Sequence, residues 1–200
     1  MKRLSTILFY LIFLSFNAAA SDSNTKVIYY KIFDEIGPAS SRITAKAFNT
    51  AKERNASAII LHLNTFGGLL TDADSIKTKI LGSKIPVFVF IDNNAASAGA
   101  LISIACNKIY MVKGASIGAA SVVTQGGEIA PDKYQSYMRS TMRATAEARS
   151  RNPEIAQAMV DGDFPVEGLT DSGKVLTLTA QEALKWGYCD SILNNWQEIL

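Results

Sequence analysis

The chain has 200 residues, 48% of them hydrophobic, with 20 Lys and Arg against 18 Asp and Glu, and a formal net charge of +2. That is enough apolar content for one full core, while the near-balanced charge lacks the surplus of Lys and Arg that phosphate binding needs and so argues against nucleic acid as a partner. With His62 the only histidine and Cys106 and Cys189 far apart, a nitrogen-and-sulfur zinc site would lack ligands; neither metal nor other cofactor is expected.

In chain order, Lys2 and Arg3, an apolar run from Ile7 to Phe16 and then Ala18-Ala19-Ala20 read as a signal peptide over residues 1–20, with its small-x-small cleavage pattern. The apolar run is short against the roughly 20 residues of a membrane span. Residues 21–200 are then expected as one exported domain on the periplasmic or extracytoplasmic face of the membrane. Without Lys2 and Arg3, its charges balance at 18 of each sign.

Lys26 to Ile32, β-branched and aromatic, predicts a strand, followed by a helix over Ser40 to Arg54 and a second strand over Ser57 to Leu63. A helix over Thr71 to Leu81 has Thr71 or Asp72 near its cap. Pro86 then introduces a buried strand, Val87 to Ile91. Ser97 to Ala105 predicts a helix and Lys108 to Val112 a strand. The glycine-rich passage from Gly114 to Gly127 is expected to be irregular and placed to line a cleft.

Pro131 to Arg149 carries Tyr134, Tyr137, Met138, Thr141, Met142, Thr145 and Ala148 on one side, the pattern of a long amphipathic helix. Thr179 with Glu182 makes a capping box for a short helix over Ala180 to Trp186, which Gly187 ends. Strands separated by helices give an α/β class, and periodicity alone does not distinguish a doubly wound sheet from a spiral of ββα units. Cys106 and Cys189 admit two readings, a disulfide formed after export or two buried thiols packed as small hydrophobes.

Two short elements suggest chemistry. Phe66-Gly67-Gly68 closes an apolar strand, and Ala95-Ala96-Ser97-Ala98-Gly99 forms a strand-to-helix turn made only of small residues. Such a turn lets a hydroxyl stand exposed while the N–H groups of the first helical turn converge on one point, where the oxyanion of acyl transfer is stabilised. Each element alone also fits an ordinary tight strand exit and a small-residue helix packed on a sheet.

Taken with Asn64-Thr65, Asn94, Ile109-Tyr110-Met111, Gly114-Ala115-Ser116-Ile117-Gly118-Ala119, Arg151-Asn152-Pro153 and Ala158-Met159-Val160-Asp161, the chain from Lys26 to Leu200 resembles the NfeD-type membrane-associated serine proteases of the ClpP/crotonase fold group. The resemblance implies an α/β fold built as a ClpP/crotonase-like spiral of ββα units. It implies Ser97 as nucleophile, and an oxyanion hole from the N–H groups of Gly67, Gly68 and Ala98. It also implies a homo-oligomer acting on apolar peptide sequence, such as the tails of stomatin- or flotillin-like membrane proteins. Relatives usually continue into membrane helices and a small β-barrel domain.

A serine needs a base to take its proton. In the family that base is a lysine on the long helix, and alignment on Arg151-Asn152 puts Arg143 in its place, a guanidinium that stays protonated. Arg143 also shares a face with Ser136, Ser140 and Glu147, as on a solvated surface. Lys133, Lys108 and Lys113 are the displaced alternatives, Lys133 first among them, and His62 reads as a histidine built into its strand. A peptidase is therefore the first expectation. A catalytically silent scaffold that binds a membrane partner is the alternative, and acyl-CoA chemistry ranks last because an exported protein would not meet cytoplasmic CoA.

Overall fold

In a computed structural model of the protein, residues 26–200 are described; the expected signal peptide lies outside them. Five strands, β1 (Val27–Ile32), β2 (Ala58–Thr65), β3 (Val87–Ala96), β4 (Lys108–Met111) and β7 (Ser191–Ile192), form a parallel sheet in the order β1-β2-β3-β4-β7. Parallel pairing requires helical crossovers. Helices α1 (Pro38–Glu53), α2 (Leu70–Leu81) and α3 (Ala98–Ala105) pack beside one another on the sheet.

β3 organises the molecule. Its first half lies between β2 and β4, with Leu63 opposite Ile91, but the next β2 pairing is Thr65 with Ala95. Asp92, Asn93 and Asn94 therefore bulge. The bend brings Asn94–Ala96 alongside β5 (Ser116–Gly118), which pairs antiparallel with β6 (Thr177–Thr179) in a small second layer. This sheet, bent through one continuous strand, is the ClpP-like spiral, within the expected α/β class. α4 (Asp132–Ala148) and α5 (Pro153–Ala158) pack outside α3, and α6 (Ala180–Lys185) leads into β7.

Most expected elements are present with ends moved by one to three residues. β3, however, runs five residues past Ile91, because across the bend Asn94, Ala95 and Ala96 pair with β5. The passage expected to be irregular contains β5. Thr71 and Asp72 lie inside α2, whose N-cap is Leu69 with no side-chain cap bond. The Thr179–Glu182 capping box forms, and Gly187 takes a left-handed φ of 76° after α6. Among the described residues, no helix is long and apolar enough to cross a membrane.

Candidate active site

Ser97 sits where β3 turns into α3, with φ 54° and ψ −118°. A non-glycine residue in such a conformation costs about 1–3 kcal/mol and persists only where its surroundings impose it. Here both sides impose it. Before Ser97, Ala96 pairs with Gly118, and the Ser97 N–H donates to the Gly118 carbonyl at 2.9 Å. After it, all eight residues of α3 are buried. The C-terminal carbonyls of α3 are held by two arginines: Arg151 Nη1 donates to Ile104 and Cys106 at 2.9 and 3.0 Å, and Arg149 Nε donates to Ala105 at 2.6 Å. The helix cannot slide away to relax the serine.

Gly67 and Gly68 follow β2 with φ of 122° and 148°. A Cβ on Gly67 would lie 2.7 Å from the Ser97 Cβ, so this backbone passes directly over the serine. A Cβ on Gly68 would lie 2.2 Å from the Ile36 carbonyl oxygen. Gly68 forms a parallel bridge with Ile36, in which Ile36 N–H donates to the Gly67 carbonyl and Leu69 N–H donates to the Ile36 carbonyl, both at 2.7 Å. That pattern leaves the Gly68 N–H on the other side of the strand.

The three expected donors therefore divide. The Gly67 N–H is committed to Thr65 Oγ1 at 3.1 Å, and this corrects its assignment to the oxyanion hole. The Gly68 and Ala98 N–H groups make no hydrogen bond among the described residues. Gly68, Ser97 and Ala98 line one pocket of about 670 Å³. One wall is Phe66, Leu69 and Leu70, and the other is the segment from Ala119 to Gln125. Phe66 is 81% exposed at the rim. The pocket can thus receive an apolar chain and present two N–H groups to a carbonyl oxygen beside a hydroxyl.

Among the described residues, no lysine, arginine or histidine lines this pocket, and the one ionisable lining residue is Glu35. Lys133 is exposed, with Nζ 4.9 Å from the Tyr134 ring centre, and lines an adjoining depression on the far side of Leu70, with Thr71, Asp74 and Tyr137. Arg143 is also exposed and donates to Gln157 Oε1 at 3.2 Å. Neither is brought to Ser97, because the buried stripe of α4 runs through Gln135, Met138, Met142, Thr145 and Ala146, and Lys133 and Arg143 are off it. Lys108 pairs with Asp190 at 2.7 Å, and Lys113 is exposed. The α4 residue that does face the pocket is Met138, 2% exposed. In sequence it reads as core, and only the placement of the pocket separates it from Met142.

His62 is a sheet histidine. Its Nδ1 lies 2.7 Å from the Tyr29 hydroxyl, and its ring packs edge-on against Phe33 and Phe90. Burial pulls its pKa below the usual imidazole value, against the opposing pull of Asp92. Cys106 and Cys189 are free buried thiols, pushed up by burial to about 12 and about 11. Among the described residues, no cluster of three His, Cys, Asp or Glu could hold a metal ion.

The chain is similar to proteins of known family and fold. The profile of the NfeD1b N-terminal domain family matches residues 26–200. Membrane protein NfeD1b of Bacillus subtilis is 35% identical over 180 residues, covering 90% of this chain and 41% of its own length. Membrane-bound protease PH1510 of Pyrococcus horikoshii is 34% identical over 158 residues, covering 75% of this chain and 33% of its own. The chain thus spans well under half of either relative. Among solved structures, a serine-to-alanine variant of the 1510-N membrane-bound stomatin-specific protease superposes with TM-score 0.77 at 29% identity, covering 88% of this chain and 83% of that one. A lysine-to-alanine variant of the same protease was solved with a substrate peptide. ClpP1 of Listeria monocytogenes, at 20% identity and TM-score 0.65 over 86% of this chain and 94% of its own, shares the fold.

Proposed function

The chain belongs to the NfeD1b N-terminal domain family, and from that premise we propose that it is a serine-type endopeptidase domain acting on apolar peptide segments. The observation that carries this reading is the strained Ser97 turn beside the two unbonded N–H groups of Gly68 and Ala98. A peptide entering past Phe66 presents its carbonyl carbon to Ser97 Oγ. As the C–O bond forms, the carbonyl oxygen gains negative charge between the two donors. The peptide C–N bond then breaks and the amine leaves with the proton given up by the Ser97 hydroxyl; water adds to the acyl carbon, its proton returning to Ser97 Oγ as that C–O bond breaks and the acid departs.

One relative is described as stomatin-specific, and for this chain the proposed substrates are apolar tails of stomatin- or flotillin-like membrane proteins, met by an exported homo-oligomer at the outer face of the membrane. The test is incubation of the protein with apolar peptides and mass spectrometry of the products. Fragments that disappear with Ser97→Ala support the reading. Fragments undiminished in that variant refute it.

Met138 favours a second reading. It is the α4 residue that lines the pocket, where among the described residues no lysine stands. A thioether accepts no proton near neutral pH, so a lysine base at that place would be lost rather than moved to Arg143. The pocket would then be a scaffold that grips an apolar segment without cutting it. Met138→Lys separates the two: if Met138 is the reason for silence, this variant gains Ser97-dependent cleavage that the wild type lacks.

A further inference from the structure

The wall of the pocket opposite Phe66 is one leg of a hairpin. Val123 bridges Ile129 across it, Thr124 N–H donates to the Glu128 carbonyl at 2.8 Å, and Ala130 N–H donates to the Val122 carbonyl at 2.9 Å. Behind the hairpin the chain is tied to the body by bonds from Ala119 to Leu176, Ala120 to Met159 and the Ser121 hydroxyl to Val160. From Val122 to Ala130, the hydrogen bonds to the rest of the described protein run to one side chain, the Gln135 amide. Its Oε1 accepts from Val122 N–H at 3.0 Å, and its Nε2 donates to the Val122 and Ala130 carbonyls at 2.6 and 3.2 Å. Gln135 is 8% exposed and projects from α4 one turn before Met138.

A buried amide bonded three times to main chain is costly to leave unsatisfied, and this one grips both legs of the hairpin at its base. Val123, Thr124 and Gln125, which line the pocket, lie beyond that grip. We infer that Gln135 is a positioning residue for peptide binding: it fixes the hairpin as the second wall of the Ser97 pocket, without touching the reacting atoms. This rests on the peptide-binding reading above.

Gln135→Glu keeps the shape but turns the donor into an oxygen that faces two carbonyls. Protonation of the new carboxyl returns one donor, and burial raises its pKa so that this happens in mildly acidic solution. Gln135→Met removes the bonds with no such recovery. A fluorescent apolar peptide is titrated into Ser97→Ala protein, alone and combined with each change, at pH 8 and pH 5, and thermal unfolding reports whether each variant is folded.

The expected result is roughly tenfold weaker binding for both changes at pH 8, recovering toward the parent at pH 5 for Gln135→Glu only. Hydrogen exchange should quicken over residues 122–130 and stay unchanged in α3. Unchanged affinity in a folded variant, an equal loss at both pH values for Gln135→Glu, or faster exchange spread through the whole molecule overturns the inference. If the parent binds no peptide, the peptide reading falls. The clamp is then judged by hydrogen exchange alone, and an unchanged hairpin in Gln135→Met overturns it.

Discussion

The conformation of Ser97 sets the chemistry against the stability of the fold. At φ 54° and ψ −118° a side chain is a burden, so Ser97→Gly is expected to raise stability by about 1–2 kcal/mol while removing the hydroxyl. Urea unfolding measures this, and a less stable glycine variant would show that the turn is unstrained. Gly67→Ala is the opposite case. Its Cβ would meet the Ser97 Cβ at 2.7 Å, so it should lose both stability and any acylation of Ser97, read by urea unfolding and by active-site labelling. His62 supplies a pH dependence. Its folded pKa is lowered by burial, so between that value and the ordinary one of about 6.5 the unfolded chain binds more protons. Stability should be full above about pH 6.5 and decline as pH falls below it, and His62→Gln should flatten the decline in unfolding measured from pH 4 to 8. The grouping of Ser97, Gly68 and Ala98 about one pocket was legible only through the ordered segments around them, because each small-residue element alone also fits an ordinary strand exit or a packed helix. The capture of the Gly67 N–H by Thr65 was not, since it depends on where one hydroxyl points.

At the level of elements, α3 holds the serine rigid from behind. Arg151 satisfies carbonyls at its C-terminal end from a buried position, so Arg151→Met should destabilise the protein by about 3 kcal/mol, the scale of losing two charge-assisted bonds. Thermal unfolding reads the loss, and a change below about 1 kcal/mol would assign the anchoring to Arg149 alone. The helices and first strands were readable from their 3.6- and 2-residue periods. α4 was readable as a helix, and Met138, Met142 and Thr145 of the expected stripe are buried, but the edges of the stripe differ. Tyr134 and Tyr137 suggest a buried stripe, yet both are exposed while Gln135 is buried, because a polar amide can enter the core when the main chain offers it three partners. Arg143 stood in the lysine's place through alignment on Arg151-Asn152 and lies on the exposed face expected with Ser136, Ser140 and Glu147; Lys133 is exposed as well, and Met138, expected as core, lines the pocket. β5, β6 and β7 are too short for a periodic signal and exist through pairing with distant residues.

On the scale of the whole molecule, the parallel sheet delivers the ends of β2 and β3 to one place, and the bend in β3 exposes the serine there. The α/β alternation was legible in the sequence. The bend was not, since it requires knowing that β3 serves two layers. The resemblance of ordered segments supplied the fold that periodicity left open. The role proposed for Ser97 is that of an acyl-accepting nucleophile served by Gly68 and Ala98. A peptidyl fluorophosphonate with an apolar sequence tests it directly, with intact-mass analysis and fragmentation to locate the adduct. One adduct is expected, on Ser97, formed by the wild type and absent from Ser97→Ala. Folded wild type that binds the probe and forms no adduct, or forms it on another residue, would contradict it.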